Sequence, residues 1–179
     1  YTWEDLEEGH AYTVEETAIN GVDADHYITT YTNNEGITAS GTIGIVNREK
    51  SAVTVNKIWE DSDGDVITVP DDEWTATVRL LQDGSAVADG TVTLSTDNQW
   101  SYTWTDLDAD ASYTVEELTV NGEDVATAND TLQSDSFYVS YENNDGVSAG
   151  TIKVINKQKP TTTVTVNKLW ANDDGYPEG

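Results

Sequence analysis

The chain of 179 residues contains no cysteine and carries 34 acidic against eight basic residues, a formal net charge of −26. The absence of cysteine excludes disulfide bonds, zinc–thiolate sites and thiol nucleophiles. The acidic balance argues against nucleic acid as a partner, because phosphate binding needs a cationic surface, and no stretch approaches the roughly 20 apolar residues of a membrane span.

The predicted elements are β-strands throughout. Short runs rich in Thr, Val, Ile and Tyr alternate in polarity and are separated by turn dipeptides such as Asp83-Gly84, Asp89-Gly90 and Asn121-Gly122. No helical period of useful length is present. In chain order we predict seven strands, near residues 52–59, 74–82, 91–96, 99–105, 112–119, 136–142 and 150–156. Seven short strands with this spacing predict an all-β, two-sheet sandwich.

The strands belong to a sequence repeat. VTVNKIW at residues 53–59 recurs as VTVNKLW at 164–170, and Lys57 and Lys168 are separated by 111 residues. Likewise, YTVEE at 12–16 recurs at 113–117, and GTIGIVN at 41–47 recurs as GTIKVIN at 150–156. A period of this length predicts tandem modules. They are the C-terminal half of one module at 1–50, a complete module at 51–159, and the N-terminal strand of the next module at 160–179.

The connections between modules are short. Five residues separate Asn47 from Val53, and seven, including Pro160, separate Asn156 from Val164. Short connections predict a semi-rigid string of modules. The loop at 123–135 is longer than the matching stretch 22–26, and we expect it to serve as a spacer or a contact surface.

Three polar residues share the inward face of their strands with apolar residues. Alternation places Lys57 with Val and Trp neighbours, Glu117 with Tyr and Val, and Asn156 after two aliphatic residues. One interpretation is that each lies at a strand end and turns its polar head to water. A second is a buried Lys–Glu ion pair with Asn as a hydrogen-bonding neighbour.

The third interpretation is covalent. A neutral lysine amine can attack the carboxamide carbon of asparagine, expel ammonia and leave an amide. Burial favours the neutral amine of Lys57 and the protonated carboxyl of Glu117. A protonated Glu117 can then polarise the Asn156 carbonyl and shuttle protons to the leaving ammonia. This reaction requires no cofactor.

The pattern of a Val-x-Val-x-Lys-x-Trp strand, a Tyr-x-Val-x-Glu strand and a closing strand that ends in Asn resembles the B-type repeats of the Cna collagen adhesin, which occur in Gram-positive surface adhesins and pilins. The stretch Asn98-Gln99-Trp100 and the residues after it also resemble this family. The resemblance implies an inverse-immunoglobulin-like β-sandwich with a self-formed isopeptide bond between the first and last strands, promoted by a glutamate.

Carried onto this sequence, the resemblance assigns the bond to Lys57 and Asn156 and the catalytic role to Glu117. The partial modules carry the equivalents Glu16, Asn47 and Lys168. One departure from the pattern is Glu116, a second acid beside Glu117, whose side chain we expect to face outward.

The resemblance implies a structural stalk module of a cell-wall-attached, extracellular protein, with neighbouring modules of the same chain as partners. The alternative is an adhesin module that contacts a host protein or glycan, through the loop at 123–135 or the acidic face. A turnover enzyme is not expected, because His10 and His26 belong to no nucleophile arrangement, and the triad reacts once with itself.

Two further hypotheses concern the acidic turn and the chain ends. Asp61, Asp63 and Asp65 have the spacing of calcium ligands, but the glycine at the sixth loop position and the flanking helices are absent, so an acidic turn is favoured over a metal site. The strand at 160–179 of one chain could also complement the 1–50 region of another, giving head-to-tail assembly.

Overall fold

The computed structural model describes residues 1–69 and 73–168, and almost all of its regular structure is β-strand. The strands are β1 (Ala18–Ile19), β2 (Val22–Asp23), β3 (Tyr27–Thr32), β4 (Gly44–Glu60), β5 (Ala76–Gln82), β6 (Ser85–Leu94), β7 (Ser101–Asp108), β8 (Tyr113–Val120), β9 (Glu123–Asp124), β10 (Ala126–Ala128), β11 (Thr131–Gln133), β12 (Phe137–Glu142) and β13 (Gly150–Gln158). Single 3₁₀ turns occupy Ala24–His26 and Thr96–Asn98. No helix in the described ranges is long and apolar enough to cross a membrane.

Two sheets enclose one core, which confirms the predicted all-β sandwich. Sheet A has the order β10-β11-β12-β13-β4-β3, with β7 also paired to β4, and sheet B has the order β6-β5-β8-β9. The first and last long strands of the complete module, β4 and β13, are parallel neighbours, with Val55 opposite Ile152 and Lys57 opposite Val154. A parallel pair lets the chain enter at one end of the sandwich and leave at the other.

The core follows from alternation along the strands. Along β4, every second residue from Val53 to Trp59 is buried, and β5, β8 and β13 show the same period of two. The buried apolar residues all lie between 53 and 154: Val53, Val55, Trp59, Ala76, Val78, Leu80, Leu94, Trp104, Ala111, Tyr113, Val115, Val120, Phe137, Val139, Ile152 and Val154. No described residue before Val53 is buried, because the described strands include no second long sheet that covers β3 and the first part of β4.

The largest difference from the predicted strands lies at the joint between modules. We expected a short connection between two strands, but β4 runs without interruption from Gly44 to Glu60. It pairs with β3 through residues 44–49 and with β7 from Lys50 onward, with a bulge between Ser51 and Val53. One strand therefore belongs to both modules, which is a stiffer connection than a loop.

Three other details differ from the expectations. Asp89-Gly90 lies inside β6 rather than in a turn, next to an irregularity in the β5–β6 register, so the predicted strand at 91–96 begins earlier. The loop at 123–135 contains β9 and the β10–β11 hairpin, which extends the edge of sheet A. Residues 160–168 form no strand because no neighbouring strand pairs with them, and the predicted strand's remaining residues, with Trp170, lie outside the described residues.

Gly90 offers a test of the packing between β5 and β6. A Cβ atom added there would lie 2.9 Å from the Val87 carbonyl oxygen and 3.3 Å from that of Leu80. Backbone atoms cannot yield as a flexible side chain does, so we expect Gly90→Ala to lower the free energy of unfolding by about 1–3 kcal/mol. Urea denaturation measures the change. The exposed neighbour Thr91 supplies the control Thr91→Ala, and equal stability of the two variants would contradict this packing.

Candidate functional site

The structure brings Lys57, Glu117 and Asn156 together inside the sandwich. Lys57 lies on β4 and Asn156 on β13, which are hydrogen-bonded neighbours in sheet A. Glu117 comes from β8 in sheet B and reaches across the interior. The side chains of Lys57 and Glu117 are 0% exposed, and Asn156 is also 0% exposed. None of the three polar heads turns to water at a strand end.

One carboxylate oxygen of Glu117 contacts both partners. Its Oε1 atom lies 3.6 Å from Lys57 Nζ, and it accepts a hydrogen bond of 3.2 Å from Asn156 Nδ2. Lys57 Nζ also donates to the backbone carbonyls of Ile58 and Val154, each at 3.2 Å. The amine and the carboxamide are thus gathered around a single acid, as a reaction within one molecule requires.

Aromatic rings seal the lysine from solvent. Lys57 Nζ lies 4.4 Å from the centroid of the Trp59 ring. Trp59 makes edge-to-face contacts with Trp74, Trp100 and Phe137 at centroid distances of 4.9, 5.2 and 5.3 Å. This aromatic cluster fills the end of the core with apolar surface, so water cannot solvate an ammonium at Nζ.

Burial shifts the pKa values of Glu117 and Lys57 toward each other. Desolvation lowers the pKa of Lys57 from 10.5 to about 7, although attraction to Glu117 opposes the shift. Desolvation also raises the pKa of Glu117 from 4.5 to about 7, against the opposing effects of Lys57 and Asn156. Near neutral pH, a proton can therefore reside on either group, and the neutral pair needed for nucleophilic attack is accessible.

Two buried oxygen atoms of the triad have no hydrogen-bond partner, Glu117 Oε2 and Asn156 Oδ1. Both are acceptors while Glu117 is ionised, and leaving them unpaired is costly. A proton on Glu117 Oε1, which lies 3.2 Å from Asn156 Nδ2, would make that oxygen a hydrogen-bond donor. A half-turn of the Asn156 amide would then place its oxygen opposite Oε1, where the acid can polarise the carbonyl.

Tyr141 and Asn144, which lie outside the motifs recognised in the sequence, position the strand that carries Glu117. The Tyr141 hydroxyl accepts a 2.9 Å hydrogen bond from the Glu117 amide, and burial raises the pKa of Tyr141 to about 12. The Asn144 side chain bonds both the amide and the carbonyl of Val115, at 2.7 and 2.8 Å. The available signal was the recurrence of a tyrosine three residues before an asparagine, at Tyr31 and Asn34.

Residues 1–50, which we call the leading fragment, repeat the contact between a tyrosine hydroxyl and the glutamate amide, but their side chains are more exposed. The Glu16 amide donates to the Tyr31 hydroxyl at 2.9 Å, as Glu117 does to Tyr141. Glu16 is half-buried, whereas Asn47 is exposed and accepts a 2.8 Å hydrogen bond from Thr29. Lys168 is exposed. Among these predicted residues, the contacts of the described part of the chain bring together Lys57, Glu117 and Asn156.

Two other acidic residues singled out in the sequence, Glu116 and Asp61, have partners outside the triad. Glu116 forms an ion pair with Arg79 on the outer side of sheet B. Asp61 Oδ1 accepts hydrogen bonds from the amides of Asp63, Gly64 and Asp65, at 2.9, 2.9 and 3.0 Å, so this carboxylate holds its own turn. No group of three or more candidate metal ligands converges anywhere in residues 1–69 and 73–168.

The paired pKa shifts predict an unusual dependence of stability on pH in an Asn156→Ala variant, which keeps the Lys–Glu pair. The raised pKa of Glu117 means that stability falls as pH rises from 4.5 to about 7. The lowered pKa of Lys57 means that stability rises again from about 7 to 10.5. We therefore expect a minimum near neutral pH, measured by chemical denaturation.

The control is Lys57→Met/Glu117→Gln/Asn156→Ala, in which every other carboxylate titrates as before. Subtracting its stability at each pH isolates the pair. A difference curve without a minimum between pH 5 and 9 would show that the pair is hydrated rather than desolvated.

Comparisons with known proteins agree with this architecture. The family model described as the Cna protein B-type domain matches residues 53–140. A collagen adhesin of Staphylococcus aureus is 33% identical over 132 residues, which cover 70% of this chain and 9% of the adhesin. The chain thus spans about a tenth of the length of this curated relative.

Two solved structures illustrate the likeness. A single B repeat unit of the collagen-binding surface protein of Staphylococcus aureus is 27% identical, with a TM-score of 0.43, and the match covers 75% of this chain and 61% of that unit. The full-length major pilin of Streptococcus pneumoniae is 21% identical, with a TM-score of 0.42, and the match covers 66% and 19% of the two chains. On the match of the family model, residues 53–140 of this chain belong to the Cna protein B-type domain family.

Proposed function

We propose that this chain is a stalk segment of a cell-wall-attached surface adhesin or pilus-like protein of a Gram-positive bacterium, and that its complete module forms an isopeptide bond between Lys57 and Asn156. The observation that carries the proposal is the convergence of a buried amine, a buried acid and a buried carboxamide, two of them on the first and last strands. Family membership and the similarity to a collagen adhesin support the surface role.

The reaction uses only groups of this chain. The neutral amine of Lys57 attacks the side-chain carbonyl carbon of Asn156, while protonated Glu117 stabilises the developing oxyanion. Glu117 then delivers its proton to the leaving nitrogen and, as a carboxylate, accepts one from the attacking nitrogen, so ammonia departs and an amide remains. One N–C bond forms and one breaks. The module reacts once with itself, so it is not a turnover enzyme.

A buried ionic triad contributes little to stability unless it reacts. Burying two charges costs several kcal/mol per ion, and their attraction recovers this only with good geometry. The Lys57–Glu117 distance of 3.6 Å and the two unpaired oxygen atoms are imperfect for a purely structural ion pair. Conversion of the amine and carboxamide to a neutral amide removes the charge from the core, which favours the product.

The position of the bond suits a load-bearing stalk. Tension on the chain enters at the start of β4 and leaves at the end of β13, and these parallel strands are sheared along their whole length. A bond from residue 57 to residue 156 would carry the force directly between them. The intervening residues 58–155 would then bear no load, and a closed loop of this size adds about 4–5 kcal/mol in the cross-link entropy model.

The ligand-binding alternative has weaker support. The β10–β11 hairpin is the most distinctive surface of the complete module, but its exposed positions are Ala126, Thr127, Ala128, Asn129, Asp130 and Thr131. Binding hot spots are enriched in Trp, Tyr and Arg, none of which occurs in the hairpin. The aromatic residues Trp100 and Trp104 pack in or against the core rather than presenting a stacking platform.

Intact mass tests the bond directly. The folded chain should be lighter than its calculated mass by one ammonia molecule, because only one triad is complete. Lys57→Ala, Asn156→Ala and Glu117→Ala should each restore the calculated mass. The matched control is Lys153→Ala, which removes a surface lysine paired with Glu142 and should still lose one ammonia. A wild-type chain of unchanged mass would reject the reaction.

Forced unfolding tests the mechanical role. When the chain is pulled by its ends, unfolding of a Glu117→Ala module should release residues 58–155, about 350 Å of extended chain. The cross-linked module should lack this step, because the bond shields those residues from tension. Single-molecule force spectroscopy on chains of known mass makes the comparison, and a full-length step from a chain that has lost ammonia would contradict the stalk mechanism.

A further inference from the structure

The joint between the two modules holds a concentration of positive charge that is unusual for this chain. Only eight basic residues occur in the sequence, and two of them, Arg48 and Lys50, flank the point where β4 passes from one module to the next. Neither residue takes part in the triad. Their carboxylate partners, Asp106 and Asp108, lie at the end of β7 and the turn that follows it, residues 105–110, which we call the acidic loop.

Lys50 binds both modules at once. Its Nζ atom donates a 2.6 Å hydrogen bond to the backbone carbonyl of Asp25 in the leading fragment. The same atom lies 3.0 Å from Asp106 Oδ1 in the acidic loop of the complete module. The contact with Lys50 holds the pKa of Asp106 below its usual range. A single ammonium therefore fixes two surfaces that the continuous strand alone would leave free to twist.

Further contacts surround this lysine. Arg48 Nε lies 3.4 Å from Asp108 Oδ2, and the Ala109 amide donates to the Glu49 carbonyl at 3.0 Å. The acidic loop is itself anchored to the core, since the Asp108 amide donates to the hydroxyl of Tyr113 at 2.9 Å. The joint thus combines two ion pairs with a backbone hydrogen bond on a rigid support.

The same elements recur at the other end of the complete module. Lys159 stands three residues after Asn156, as Lys50 stands three after Asn47. Lys159 Nζ donates a 2.6 Å hydrogen bond to the Ser134 carbonyl, in the loop before β12, just as Lys50 bonds the loop before β3. The two extra residues of the second joint follow Lys159 and leave this spacing unchanged.

The acidic residues that pair with Arg48 and Lys50 also recur in the sequence. The stretch YTWEDLE at residues 1–7 matches YTWTDLD at 102–108, which places Asp5 and Glu7 at the positions of Asp106 and Asp108. Each module thus has an acidic loop where the chain arrives and a basic pair where it leaves. On a surface of strongly negative charge, such a pair supplies local attraction between bodies that otherwise repel each other.

We propose that Lys50 and the acidic loop form an inter-module interface that holds consecutive modules at a fixed orientation, and that Lys159 presents the same basic group to the next module. The partner is a second copy of the module in the same chain. The proposal rests on the stalk organisation above but not on the isopeptide bond. Intact mass tests the bond, whereas the orientation of the modules tests the interface, so the two can fail separately.

Because the chain contains no cysteine, two introduced cysteines can be labelled specifically for a distance measurement. Spin labels at Thr30→Cys on β3 and Thr91→Cys on β6, both exposed positions, report the distance between the leading fragment and the complete module. We expect a narrow distance distribution in the otherwise wild-type chain. Lys50→Gln should roughly double its width, because surfaces that lose their cross-bridging group fluctuate more. Asp106→Asn should broaden it less, since an asparagine oxygen at position 106 can still accept a hydrogen bond from Lys50.

The matched control is Lys153→Gln, which removes the same charge from a surface pair within the complete module and should leave the distribution unchanged. Amide hydrogen exchange in β3 verifies that the leading fragment remains folded. If Lys50→Gln unfolds the leading fragment, the distance distribution of Asp106→Asn becomes the deciding measurement. A broad distribution in the unmodified chain, equal broadening by Lys50→Gln and Lys153→Gln, or no broadening by the deciding variant would each overturn the proposal.

Discussion

The parallel pairing of β4 with β13 is the constraint on which the rest of the molecule depends. It joins strands about 100 residues apart in the sequence and closes the sandwich between Val53 and Lys157. Because the register sets Lys57 opposite Val154, the amine lies beside the strand that carries Asn156. The same pairing makes the two ends of the module leave in opposite directions, so the proposed bond and the proposed load-bearing geometry depend on one structural feature.

The interior of the sandwich then changes what these side chains can do. In water, a lysine amine is protonated and an asparagine side chain is inert toward it. Behind Trp59 and across from Glu117, desolvation brings the pKa of both ionisable groups to about 7. The core thereby gives up some stability at a polar cluster, and the same desolvation makes accessible the neutral amine that the proposed reaction needs. Tyr141 and Asn144 hold the strand of the acid in place through hydrogen bonds to the backbone of Glu117 and Val115.

The sequence was informative where a residue's role follows from local pattern. Alternation along YTVEE was enough to separate Glu117 from Glu116, and the structure places the former inside and the latter against Arg79. It was less informative where partners come from distant segments. Nothing local predicted that Asp89-Gly90 would lie within β6, or that Asn47 and Val53 would share one strand, since both depend on what pairs alongside.

The amino-acid sequence by itself determined the β-class of the chain, its repeated modules, its acidic surface and the three polar residues that face inward, because side-chain periodicity and composition are properties of neighbouring residues. The folded structure was needed to show that Lys57 and Asn156 lie on adjacent parallel strands, that Tyr141 binds the Glu117 amide, and that Lys50 contacts both Asp25 and Asp106. Those relations depend on which distant backbones pair and on how completely the second sheet excludes water, and both are set by the packing of the whole sandwich.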